Sequence, residues 1–167
     1  MTDPEAIYVI YIAAPPAKVW AALTGGEFTK QYFFGRRIES DWKVGSPFAL
    51  WMEDGRIDVN GRVLEYDPPR RLTMTWHVEW LEEFRKLPDA IVSYQIDALG
   101  EVVRLTVTES HDESLPDKYK EGGRHGWPVI LCGLKTLLET GRAMPRIEMR
   151  PPTSPSPRPS PATGRGS

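Results

Sequence analysis

Cysteine is almost absent from this chain. Cys132 stands alone, so no internal disulfide can form and no cysteine cluster has metal-ligand spacing; a reducing cytoplasm is the compartment expected. Charge of one sign is lacking too. The 21 Lys and Arg nearly balance 23 Asp and Glu, leaving a formal net charge of -2, which gives no electrostatic reason to expect nucleic acid or an anionic membrane as a partner. Long apolar runs are missing, and the opening MTDPEAIYVIYIAAPP carries acids rather than a basic stretch, so neither a signal peptide nor a membrane span is expected. No nucleophilic triad, Gly-rich phosphate loop or paired-carboxylate spacing is found, which weighs against hydrolase-like and kinase-like activities.

What is present suits one core. Hydrophobic residues make up 40% of 167 residues, with six Trp, enough to offset the entropy of ordering a single domain. That domain is expected over residues 1–144. Residues 145–167 form a Pro/Ser/Arg-rich tail; seven of the 16 prolines follow the last helical pattern, a composition that reads as disordered or polyproline-like.

Periodicity divides the body into elements. Ile7 to Ile12 reads as a strand, and Pro15-Pro16 as the start of a short helix in which Val19, Trp20 and Leu23 share a face before Gly25-Gly26. A second short helix is expected from Glu27 to about Phe34, then a turn at residues 38 to 42. Strands are expected over about 48–52 and 58–66, with Gly61 marking a bulge. In RLTMTWHV, Leu72, Met74, Trp76 and Val78 share one face while His77 shares the other, a half-buried strand. The same alternation puts Val92, Tyr94 and Ile96 together, and Val103, Leu105 and Val107 together, on two further antiparallel strands. The final helix is expected from Gly126 or Trp127 to Thr140, with Trp127, Ile130, Leu131, Leu134, Leu137 and Leu138 as its apolar stripe.

Three blocks in this order, FTKQYFFGRRIESDWKVGSPF, GRVLEYDPPRRLTMTW and GGRHGWPVILCGLKTLLETG, resemble the SRPBCC superfamily, and more narrowly its bacterial branch similar to the C-terminal domain of heat-shock-protein-90 ATPase activators. The resemblance covers about residues 5 to 144. It implies an α+β helix-grip (START-like) fold: a curved antiparallel sheet of six to seven strands wrapped around a long C-terminal helix, two short helices after the first strand, and a cavity between sheet and helix. Relatives bind small molecules, and a minority are cyclases or aromatase-type enzymes.

Within that fold Trp76, Tyr94 and Trp127 have the parity or phase to face the gap between sheet and helix, and with Leu131, Tyr32 and Phe33 they are the residues expected to line a ligand site. Plain packing is the bland alternative for each. Tyr32, Phe33 and Phe34 would gate one opening or anchor their helix, and Trp80, Leu81 and Phe84 would cover the pocket or meet a partner. Glu109 continues the inward parity of its strand and is a candidate general base or ligand anchor, although a strand-end position in water is the reading favoured. His125, beside Arg124 and Trp127, is a second weak catalytic candidate. His111 is placed in a charged loop, where with Asp112 and Glu113 it offers only an exposed and weak metal set; no metal and no cofactor are expected. The function expected is binding of a small hydrophobic or amphipathic molecule, ahead of a cyclase- or dehydratase-type enzyme and a co-chaperone. A second copy of the chain and a chaperone are the protein partners considered.

Overall fold

Strand β1 (Thr2–Ile12) runs into Pro15 and Pro16, which open helix α1 (Pro16–Thr24) where a missing N–H costs nothing. The computed structural model describes residues 2–147, with side chains from residue 6 onward; most of the tail expected at 145–167 lies outside the described residues. Helix α2 (Gly26–Tyr32) follows directly, and its buried Thr29 hydroxyl accepts the Ile38 N–H at 3.0 Å. That bond fastens α2 to a strand, β2 (Arg37–Ser40). The turn expected at residues 38 to 42 is therefore corrected. Four residues are too few to display alternation, and the reversal falls later, where the Ser40 and Ser46 hydroxyls accept the Trp42 and Lys43 N–H groups at 2.9 and 3.1 Å.

From there the chain meanders through β3 (Pro47–Trp51), β4 (Ile57–Asp67), β5 (Arg71–Val78), a four-residue helix α3 (Glu82–Arg85), β6 (Ala90–Leu99) and β7 (Val102–Asp112). All pairings are antiparallel, in the order β1-β7-β6-β5-β4-β3-β2, so the first strand closes against the last. The alternation read from the sequence matches the burial: Leu72, Met74 and Trp76 on β5, Val92, Tyr94 and Ile96 on β6, and Val103, Leu105 and Val107 on β7 all face the core. At Gly61 the β4 and β5 backbones come so close that a side-chain carbon would collide with the Thr75 carbonyl oxygen. The Arg62 N–H is met there by the Thr75 hydroxyl at 2.8 Å instead of a backbone carbonyl. The register irregularity itself falls slightly further on, between Val63 and Glu65.

Helix α4 (Asp117–Thr140) lies across the concave face of the sheet. It starts well before the Gly126 or Trp127 expected. Gly122, Gly123, Gly126 and Pro128 all lie inside it, residues that disfavour helix by about 1 kcal/mol for glycine and about 3 for proline. Burial of Leu115 just before it, of Tyr119 in its first turn and of Trp127, Ile130, Leu131, Leu134 and Leu137 along it outweighs this, at about 1.5–3 kcal/mol per large apolar side chain. Gly141, in the left-handed region at φ 79°, ends the helix with its N–H on the Leu137 carbonyl. No described helix is long and apolar enough to cross a membrane.

Candidate functional site

Between the first half of α4, the ends of β4 and β5, and the Phe33–Arg36 and Trp80–Phe84 segments lies a hollow of about 630 Å³. Phe33, Trp76 and Trp127 form one wall. Their rings are in mutual contact, with centroids 5.7 Å apart for Trp76 and Trp127 and 5.8 Å for Phe33 and Trp127. Behind them Tyr94 meets the Trp127 edge at 6.1 Å. The rings thus interlock among themselves, and the hollow opens beside them. Trp80, Leu81 and Phe84 do border it, as does Phe34.

Of the six residues expected to line a site, three reach the hollow: Phe33, Trp76 and Trp127. Tyr32, Tyr94 and Leu131 are buried inward but do not border it. Tyr32 instead donates its hydroxyl to the Ala22 carbonyl at 2.7 Å, which ties α2 to α1.

Glu109 borders the hollow and is 3% exposed, so the reading of a strand end in water is corrected. Strand β7 does not fray there, because β1 and β6 pair with it on both sides at Ala6 and Val92. The Trp127 indole N–H donates to Glu109 Oε1 at 2.9 Å. Gly123 of α4 leaves the space for this approach, since a side-chain carbon there would lie 3.2 Å from the same oxygen. Tyr119 lies close to this carboxylate; burial first, and then Glu109, push the Tyr119 phenol far above its usual range. Tyr94 is raised by the same two causes in the same order.

His111 needs a second correction. It is the inward residue after Glu109 on β7, 5% exposed rather than in an exposed loop. Its Nε2 lies 3.4 Å from Glu109 Oε2, its ring stands edge-on to Tyr119, and its Nδ1 has no hydrogen-bond partner among the described residues. His125 sits on α4 at the rim, its side chain 61% exposed and 3.6 Å from Glu121. Among the described residues no group of three or more His, Cys, Asp or Glu is placed to hold a metal.

Four further charged residues border the hollow that the sequence analysis does not single out: Arg36, Asp58, Lys118 and Arg146. Arg36 bonds Asp58 at 2.8 Å and the Phe34 carbonyl at 2.8 Å. Burial raises the Asp58 carboxyl above its usual range, and the Arg36 guanidinium only partly offsets this. A folded-state value above the unfolded one means that the folded protein holds this proton more tightly. The stabilisation is full below the ordinary aspartate value of about 3.9 and is lost as pH rises through the raised value. Asp58→Asn is expected to remove that decline, read as unfolding free energy from urea melts across the acid range. A profile identical to that of the unsubstituted protein would rule out Asp58 as its source.

A larger groove of about 1100 Å³ lies outside the sheet, over β3 to β5. His77 borders it, held by Asp89 at 2.9 Å. The groove is broad and solvent-facing and brings no buried polar group together, so the hollow under α4 is the better candidate.

The family described as Activator of Hsp90 ATPase homolog 1-like protein matches residues 13–139. No curated protein sequence matches the chain. Among solved structures, a Mesorhizobium loti protein is similar at a TM-score of 0.70 and 21% identity over 81% of this chain and 97% of its own. The solution structure of the Aha1 dimer from Colwellia psychrerythraea is similar at 0.68 and 21%, over 84% of this chain and 100% of its own. DynU16, from the dynemicin biosynthetic locus, is similar at 0.70 and 22%, over 84% of this chain and 49% of its own. At these identities the likenesses show the helix-grip fold.

Proposed function

This chain belongs to the family of Activator of Hsp90 ATPase homolog 1-like proteins, and from that premise we propose that it binds a small apolar or amphipathic molecule in the hollow beneath α4. The observation that carries the reading is the hollow itself: about 630 Å³ walled by Phe33, Trp76 and Trp127, with one buried carboxylate, Glu109, at its edge. Ligand sites are commonly about 300–1,000 Å³, mostly apolar, with a few polar groups that set orientation. The likeness to a protein of the dynemicin biosynthetic locus supports a small molecule as the occupant. The family's name is that of a chaperone activator, yet nothing in the hollow requires a protein partner. The candidate compartment is the cytoplasm, consistent with a single unpaired cysteine.

A neutral fluorescent probe, N-phenyl-1-naphthylamine, tests this. It is expected to brighten on mixing with the folded protein and to quench Trp76 and Trp127. Gly126 borders the hollow within α4, and a side-chain carbon there would start 3.9 Å from Phe34, an ordinary contact. Gly126→Leu should therefore fill the hollow while improving helix propensity by up to about 1 kcal/mol. Probe affinity is expected to fall at least about tenfold with no loss of melting temperature, roughly the 1.4 kcal/mol that a blocked apolar contact represents. No probe binding to the parent protein, or equal binding to the variant, would sink the reading.

A further inference from the structure

Among the described residues, the charges around the hollow leave one without a Lys or Arg partner. Arg36 is 2.8 Å from Asp58, Lys118 is 2.8 Å from Glu83, and Arg146 is 2.9 Å from Glu53. Further along α4, Arg124 is held by Glu121 at 3.0 Å, and Lys120 does not border the hollow. Each basic side chain at the rim thus already has its carboxylate. Glu109 has none of them. Its neighbours are the Trp127 N–H, the Tyr119 hydroxyl and His111.

His111 is the one group that could neutralise Glu109 from within. Its Nε2 stands 3.4 Å from Glu109 Oε2, longer than a close charge-assisted hydrogen bond, and its Nδ1 has no partner among the described residues. No described Lys or Arg is paired with the carboxylate, and a buried charge without a counter-charge is costly. Two indoles and a phenyl ring stand beside it, and their faces attract cations, more strongly when water is excluded.

We infer that the hollow selects a molecule carrying a protonated amine, with the ammonium received by Glu109 and the apolar body laid against Phe33, Trp76 and Trp127. The inference rests on the reading of the hollow as a small-molecule site. A carboxylate that already accepts from Trp127 still has acceptor capacity, because two oxygens offer about four lone-pair positions. An ammonium placed there makes a charge-assisted bond and supplies the missing positive charge in one step. An alcohol of the same shape supplies only a neutral bond, and an acid meets repulsion.

Three matched probes separate these cases: 4-phenylbutylamine, 4-phenylbutan-1-ol and 4-phenylbutyrate, titrated into the intact chain by calorimetry at neutral pH. The amine is expected to bind at least about tenfold more tightly than the alcohol, and the acid more weakly than both. In Glu109→Gln the amine-to-alcohol ratio should collapse to below about threefold, since the neutral amide offers no counter-charge. If that variant does not fold, the ranking on the parent protein decides alone. An alcohol that matches the amine overturns the inference, as does failure of all three while the neutral naphthyl probe still binds; the hollow reading survives both results. Failure of the neutral probe as well removes the hollow reading and this inference together. A preference retained in Glu109→Gln removes Glu109 from the role.

Discussion

Replacing Trp127 by alanine is expected to cost about 3–5 kcal/mol of unfolding free energy, a large share of the 5–15 kcal/mol typical of a domain. The indole is the hub of the aromatic cluster, touching Phe33, Trp76, Tyr94 and Tyr8. It is 4% exposed, so truncation opens a cavity beside the existing hollow. A second cost adds to the first, because the indole N–H is the donor at 2.9 Å to buried Glu109. Trp127→Phe separates the two by keeping a ring and deleting the donor; about 1–3 kcal/mol is expected from that alone. Urea melts followed by far-UV circular dichroism measure both. A Trp127→Ala protein within 1 kcal/mol of the parent, against the magnitude expected for a buried tryptophan, would mean that the cluster does not hold α4 to the sheet.

Gly61→Ala is expected to cost about 3 kcal/mol or more, beyond the usual range for one added methyl. The new carbon would collide with the Thr75 carbonyl oxygen and lie 2.7 Å from its hydroxyl and 2.8 Å from its carbonyl carbon. Two of those three atoms are backbone of the neighbouring strand, so no rotamer change relieves them. Moving β4 away would also break the bond from the Arg62 N–H to the Thr75 hydroxyl. Gly122→Ala is the control. That helical position has nothing within 4 Å of an added carbon, and the same change there should stabilise by about 0.5–1 kcal/mol. Equal effects at the two sites, in the same melts, would contradict the close approach of β4 and β5.

Strand β5 was fully legible because Leu72, Met74 and Trp76 alternate with Thr73, Thr75 and His77, and one face is buried. Parity reports a face and not a depth. Tyr94 and Leu131 share the inward side with Trp76 and Trp127, yet they lie behind the rings that border the hollow. The start of α4 was hidden by its own composition, since three glycines and a proline read as breakers in the absence of the sheet. Gly123 is there because Glu109 needs the room, a fact of tertiary structure that no local pattern encodes. His111 is the one site residue whose signal was available: it continues the period of Val103, Leu105, Val107 and Glu109. It was lost by ending the strand at the first charged residues.

The pairing of the first strand with the last has a consequence for the nascent chain. Tyr8 lies opposite Val107 and Ile12 opposite Val103, about a hundred residues apart in sequence. At synthesis rates of about 5–20 residues per second, β1 therefore waits about 5–20 s for its neighbour to leave the ribosome. During that interval Ile7, Val9, Ile10 and Ile12 have no partner strand, and their pairing is the most non-local contact in the sheet, the kind that forms slowly. A chain halted before β7 is complete carries this unpaired apolar strand into the crowded cell, where a second such chain could pair with it edge to edge.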